Sequence, residues 1–339
     1  MEMSLARYLA RRAALTVFVV FGVTLITFAL THVVPADPVV AYLGDHAPPE
    51  LVEKVRHQIG LDRPLPVQYL LYLRDLLRGD LGISIMDNRP VSHDLGQYLP
   101  ATVELATSAM VVAILIGVPT GIVSALYKDS WPDQAARVFA LGGTSLPVFY
   151  VALLLLGVLY SRFGVLPGPG QLSIYTPPPP HLTGMVAVDA LVAGDWAALG
   201  DALRHLVLPA FVLGYFSTGL VTRMTRSSLL EVMRQDYVRT ARAKGMGERR
   251  VVLRHALRNA LLPTVTVIGL TFGDLLSGSV LTETIFSWPG IGRYATNSVT
   301  NVDVPAVLGV TLVAAVIYSV FNLVTDVVYA YLDPQIRYT

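Results

Sequence analysis

The chain has 339 residues, 53% of them hydrophobic and 14% charged, with a formal net charge of +1 and a mean hydropathy of +0.57. Soluble domains carry roughly a quarter charged residues, so much of this surface is built for lipid, and a near-neutral chain lacks the basic face of a nucleic-acid binder. There is no cysteine, which excludes disulfides, thiolate zinc sites and iron–sulfur clusters.

A helix needs about 20 apolar residues to cross about 30 Å of hydrocarbon. Residues 1–12 place Arg7, Arg11 and Arg12 ahead of a charge-free run, Ala13–Val34. A secretory signal begins in the same way, but its apolar core is ~7–15 residues, and Thr31–Pro35 is a poor cleavage site. The run is therefore predicted to be a retained first span. Residues 35–98 follow as a long outer segment, with helix-like stretches at Pro49–Ile59 and Tyr69–Leu77 flanking a turn at Leu61–Pro66. Residues 99–339 carry five more predicted spans: Leu105–Tyr127, Val138–Ser161, His205–Thr222, Asn259–Thr282 and Val304–Thr325.

Between the third and fourth spans lies an outer loop, 163–204. It opens with Leu166-Pro167-Gly168-Pro169-Gly170 and contains Pro177–Pro180, which cannot continue a helix and favour a stiff extended strand. Within it, Asp189–Leu206 reads as one short helix at the membrane interface, carrying Trp196. This loop and residues 35–98 either cap the bundle or receive a soluble partner.

The inner loop, 224–262, reads as helix over Ser227–Gln235 and again over Asp236–Lys244. Gly245 and Gly247 stop the second stretch, since glycine takes the left-handed conformation that ends helices. Helix resumes over Arg249–Leu262 and runs into the fifth span at Pro263. The product is a helix–turn–helix elbow on one membrane face. The segment Arg223–Arg258 has ten basic and three acidic residues, and with the N-terminus inside, the inside segments hold 16 of the 25 Lys and Arg. By the positive-inside rule both termini are predicted to be cytoplasmic.

Acids in spans are costly, by about 2.5–3.5 kcal/mol at a helix centre. Asp274 interrupts the fifth predicted span and either lines a water-filled path or makes a helix–helix hydrogen bond. Glu104 and Glu283 fall near outer span ends, where the cost is small, and Asp326 near an inner end. Ser287–Gly292 reads as an outer turn with Trp288 at headgroup depth. The seven histidines show no metal-ligand spacing, and neither a catalytic elbow nor a phosphate-binding G-x-x-x-x-G-K-[ST] loop occurs. Metal, cofactor and catalytic sites are therefore not expected in this chain.

Asp236–Pro263, DYVRTARAKGMGERRVVLRHALRNALLP, resembles the cytoplasmic loop of ABC importer permeases. Arg239-Thr240-Ala241, Gly245 and Leu262-Pro263 match that loop's Glu-Ala-Ala start, glycine and Leu-Pro. The first two positions depart from the general pattern, and the glycine-to-proline distance is longer. Both departures resemble the dipeptide/oligopeptide/nickel branch, as do LDRPLPVQY (61–69), GDLGIS (79–84), LPATVELA (99–106), ETIFSWPGIGRYA (283–295) and LDPQIRY (332–338). The resemblance spans nearly the whole chain and points to the first, B-type permease of a pair.

It implies an all-α integral membrane protein of about six transmembrane helices with a cytoplasmic coupling-helix elbow, the type I ABC importer architecture. It also implies a homologous second permease, two ATPase subunits that bind ATP and Mg, an extracytoplasmic substrate-binding protein, and residence in a bacterial or archaeal cytoplasmic membrane. The ATPase-coupling residues would be Tyr237, Arg239, Thr240, Ala241, Arg242, Ala243, Lys244 and Gly245. The translocation path would include Asp274 and Glu283, and the outer vestibule Trp288, Pro289 and Gly290. The implied cargo is a di- or oligopeptide; the same architecture also imports nickel or other small solutes. An ion-driven secondary carrier is the competing class, but no clear internal repeat is present and such a carrier leaves the elbow unexplained.

Overall fold

The computed structural model describes residues 5–33, 48–58, 61–277 and 279–332. The last residue of the expected first span, 34, the first residues of the outer segment, 35–47, and the closing motif from 333 onward lie outside the described residues. The helices in chain order are α1 (Leu5–Val33), α2 (Pro49–Gln58), α3 (Leu65–Leu77), α4 (Val91–Leu126), α5 (Trp131–Ser145), α6 (Val148–Leu155) and α7 (Val186–Ala193). They continue as α8 (Trp196–Val232), α9 (Asp236–Ala243), α10 (Leu257–Ser277), α11 (Val280–Ile285), α12 (Ile291–Thr300) and α13 (Val304–Leu332). Among the described residues five helical stretches are long and apolar enough to cross a membrane, or six if the bent pair Trp131–Ser145 and Val148–Arg162 counts as one span. Contacts divide the chain into two units, Met1–Tyr98 with Tyr294–Leu323, and Leu99–Arg293 with Val324–Thr339.

In the first unit α1 meets α3 through a polar ladder. Threonines and tyrosines recur three residues apart, one helical turn, on each helix. The Thr24 and Tyr69 hydroxyls lie 2.9 Å apart and those of Thr27 and Tyr72 3.0 Å apart, with Phe28 edge-on to Tyr69. Only 11% of the most apolar window of α1 is buried, as befits a helix whose other faces meet lipid. Asp303 starts α13 by accepting the Ala306 amide at 3.2 Å, an N-cap bond. Its other oxygen accepts from Ser84 Oγ at 2.5 Å and the Met86 amide at 3.3 Å. The serine of the GDLGIS run is thus a buried strut.

In the second unit α8 is the central helix, with 72% of its most apolar window buried. Small residues permit close approach between membrane helices, and α8 uses them on two sides. A Cβ on Gly214 would sit 2.4 Å from the Ala109 carbonyl oxygen of α4, and one on Gly219 would sit 2.5 Å from that of Ala140 in α5. Reciprocally, a Cβ on Gly143 of α5 would meet the Tyr215 carbonyl oxygen at 2.5 Å.

The third expected span, Val138–Ser161, is not one straight helix. It breaks at Leu146-Pro147, where the two pieces meet at 110°. Leu146 is extended, ψ 134°, because a residue before proline is driven out of the helical region. A π-helical turn, Leu156–Arg162, closes the second piece. The expected short helix at Asp189–Leu206 is divided as well. Gly194 ends α7 at φ +70°, and the Asp195 side chain accepts the Ala198 amide at 2.9 Å, so Trp196 opens the 37-residue α8. The fifth expected span, Asn259–Thr282, splits between α10, which ends at Ser277, and α11, which holds Thr282.

Candidate functional site

The elbow is built from its apolar positions. In α9 only Val238 and Ala241, three residues apart and so on one face, are buried, at 0% and 6% exposure. They pack with Ala125, Leu229, Val232, Val251, Ala256 and Ala260. Tyr237, Arg239, Thr240, Arg242, Ala243, Lys244 and Gly245 are all exposed. Of the eight residues expected to couple to an ATPase, Ala241 is the buried one. It anchors the elbow to the helices behind, while the other seven form the outward surface.

Gly245 has φ +78° and donates its amide to the Arg242 carbonyl at 2.9 Å. Gly247 has φ −63° and caps the next turn, so a single glycine takes the left-handed conformation here. Across that turn Arg242 donates Nε to Glu248 Oε2 at 3.0 Å and Nη2 to Oε1 at 2.7 Å. The bidentate fork fixes an angle as well as a contact. At the other end of α9, Asn259 Nδ2 donates to the Tyr237 hydroxyl at 2.9 Å. A π-helical stretch, Val251–Ala256, then leads into α10. The surface is basic, with Arg249, Arg250, Arg254 and Arg258 exposed along the lead-in.

Asp133 is the residue that sequence reasoning missed here. It is 0% exposed and receives Arg226 Nε at 2.8 Å and Nη2 at 2.9 Å. Ser124 Oγ at 2.6 Å and the Asp129 amide at 2.9 Å also donate to it, and Arg137 Nε lies 3.7 Å from Oδ1. One carboxylate ties the ends of α4, α5 and α8 together beside the elbow. The Ser-Trp-Pro-Asp run marks a helix start, but its partner lies 93 residues downstream, a separation no local pattern encodes.

The other expected site residues part company. Asp274 is exposed on α10. Glu283 is 0% exposed; its Oε1 accepts from Thr102 Oγ1 at 2.8 Å and Ser279 Oγ at 2.7 Å, and its Oε2 from the Arg293 amide at 3.0 Å. Thr102 Oγ1 in turn accepts the Ile291 amide at 2.8 Å. Residues 287–293 wrap this carboxylate so closely that a Cβ on Gly290 would fall 2.4 Å from it. Trp288 is not a headgroup anchor: it is 1% exposed, its Nε1 donates to the Ala101 carbonyl at 2.8 Å, and its ring packs with Leu105, Ala106 and Ala109. Pro289 is half-buried and Gly290 buried. A desolvated carboxylate needs donors: the Arg293 amide supplies one, the Thr102 and Ser279 hydroxyls two more, and the Ile291 amide holds Thr102 in place.

Two further acids pin the loop 163–204. Glu104 accepts the Ala187 amide at 2.7 Å and Gln171 Nε2 at 3.3 Å. Asp189 gathers the amides of Leu182, Thr183 and Gly184 and the Thr183 hydroxyl, at 2.7–3.2 Å. Burial alone would raise the Asp189 carboxyl, but these bonds outweigh it and hold it below the usual carboxylate range. Among the described residues no group of three or more His, Asp or Glu is arranged to hold a metal ion.

Comparison with known proteins gives two family matches that together span most of the chain. The family described as "Binding-protein-dependent transport system inner membrane component" matches residues 117–338, and its N-terminal companion matches residues 5–106. The probable D,D-dipeptide transport system permease protein DdpB of Escherichia coli K12 is 45% identical over 320 residues, covering 94% of each chain. The dipeptide transport system permease protein DppB of Alkalihalophilus pseudofirmus is 42% identical, covering 98% of this chain and 99% of its own. Among solved structures, a chain of the MetNI methionine ABC transporter in inward facing conformations matches with a TM-score of 0.49 at 14% identity, covering 69% of this chain and 93% of that one.

Proposed function

Since the chain belongs to the inner-membrane components of binding-protein-dependent transport systems, in the dipeptide branch of ABC importer permeases, we propose that it forms half of a translocation path for di- and oligopeptides, with a homologous permease forming the other half. ATP binding and hydrolysis belong to two partner ATPase subunits, and a soluble binding protein delivers the peptide from outside. Both termini and the elbow face the cytoplasm. The elbow takes the ATPase stroke through Tyr237, Arg239, Thr240, Arg242, Ala243, Lys244 and Gly245, and Ala241 transmits it inward. Asp274 is the acid offered to the path; Glu283, sealed within its own turn, holds the outer wall in shape, together with Trp288 and Gly290.

The observation that carries this reading is the division of α9 into a buried pair, Val238 and Ala241, and an exposed basic face. A lipid-facing inside loop has no use for such an anchor, whereas a lever must be fixed to what it moves. The test is ATP hydrolysis by the complex, purified with its binding protein, against a panel of peptides and nickel chelates. Stimulation by peptides is expected. Stimulation by nickel chelates alone overturns the cargo, and the absence of any accompanying ATPase overturns the coupling role.

A further inference from the structure

Beside the elbow an open groove of about 640 Å³ runs between the last turns of α4 and α8 and the lead-in to α10. Its walls include Ile122, Leu126, Tyr127, Met233 and Leu253, and its rim carries Arg249. That volume lies within the ~300–1,000 Å³ of small-molecule sites. Leu126, Tyr127 and Leu253 are 43%, 58% and 51% exposed, a concentration of apolar surface that a soluble face avoids.

The groove's depth in the bilayer follows from the sequence of its walls. The run from Leu105 of α4 to Tyr127, just past its end, is free of charge and stops at Lys128; at about 1.5 Å per residue it is long enough for the hydrocarbon. Ile122–Tyr127 are therefore its last turns before the headgroups. Two more membrane-crossing stretches meet the groove at their ends, Trp196–Val232 and Glu248–Leu276.

The charges then select the occupant. Arg242 and Glu248 also line the groove and neutralise each other. Arg249 has no carboxylate partner among the described residues, so one positive charge stays uncompensated above an apolar trough. We propose that the groove seats an anionic phospholipid, with the phosphodiester on Arg249 and an acyl chain along Ile122, Leu126 and Leu253. Guanidinium forks match phosphate oxygens, and a zwitterionic lipid adds an ammonium for which the carboxylate lining the groove, Glu248, is already held by Arg242. The inference rests on the membrane-spanning assignment of these helices and not on the cargo or the ATPase stroke.

The test adds spin-labelled phosphatidylglycerol or phosphatidylcholine to the complex, purified with its partner subunits in mild detergent, and compares the immobilised fractions by electron spin resonance. Phosphatidylglycerol is expected to be preferred. Arg249→Gln should cut that preference by about fivefold, the value of one basic residue near an anionic surface. Arg223→Gln, at an exposed position outside the groove, should leave it intact, and Leu253→Asn should weaken retention of the labelled phosphatidylglycerol. Absence of preference, an unchanged preference in Arg249→Gln, or an equal fall in Arg223→Gln would overturn the site. Loss of the ATPase subunits from Arg249→Gln with lipid preference unchanged would also overturn it and make the groove a protein seat.

Discussion

Glu283 and Asp133 are each fully buried carboxylates, yet they respond differently to losing a partner. Glu283 lives on neutral donors, Thr102, Ser279 and the Arg293 amide, under a glycine that leaves no room for a methyl group. Gly290→Ala should therefore lower the thermal stability of the purified protein, as should Glu283→Ala, which strands three donors at about 1–3 kcal/mol for each one left unsatisfied. In the double variant the shortened side chain clears the space the methyl needs, so the two losses should be markedly less than additive. Simple additivity would mean the turn and the carboxylate do not form a unit. Asp133 instead faces a charge. The Arg226 side chain keeps 21% exposure and Asp133 none, so water can rescue the arginine but not the acid. Arg226→Gln, which leaves a buried anion whose remaining cationic neighbour, Arg137, is 3.7 Å away and makes no close hydrogen bond to it, should lower the melting temperature more than Asp133→Asn, against a scale of about 3–5 kcal/mol for breaking a buried pair. The reverse order, read by a thermal-shift assay, would show that the arginine is the dependent partner.

At the scale of the element, the elbow depends on one backbone angle. Gly245 sits at φ +78° with open space where a Cβ would stand, so a substitution there is opposed by conformation and not by collision. A left-handed angle costs an ordinary L residue about 1–2 kcal/mol, and asparagine tolerates it better. Gly245→Val should leave membrane insertion and ATPase retention intact while lowering the peptide transported per ATP in proteoliposomes; Gly245→Asn should recover most of the loss. Equal coupling in both variants and the wild type would remove the turn from the mechanism. This element was legible in the sequence because its signals are local: a helical run, a glycine stop, a resumed helix. What the sequence concealed was the role of Ala241, whose burial depends on Ala125 and Leu229 behind it. Trp288 was misplaced for the same reason. An aromatic beside proline and glycine reads as an interfacial anchor, and only its bond to Ala101, 187 residues away, shows that it points inward.

Across the whole molecule, charge-free length revealed the spans, but length alone is blind to direction, and at Leu146-Pro147 direction is what matters. If the two pieces bent by 110° there carry the chain across the bilayer, six spans place both termini on one side. If they turn back, five spans place them on opposite sides and the outer loop joins the wrong face. A proline break is compatible with either course, because neighbouring helices can satisfy freed backbone groups in a membrane protein. The basic residues of 128–137 and their scarcity in 163–185 favour crossing under the positive-inside rule. The absence of cysteine allows a clean test with single-cysteine variants at Lys128 and Tyr175, before and after the bend, whose side chain and residue are 45% and 89% exposed. In intact cells a membrane-impermeant maleimide should label Tyr175→Cys and leave Lys128→Cys until the membrane is opened. Labelling of both, or of neither, would make the pair re-entrant, and the elbow and the C-terminus would then have to lie on opposite sides from those proposed relative to the first span.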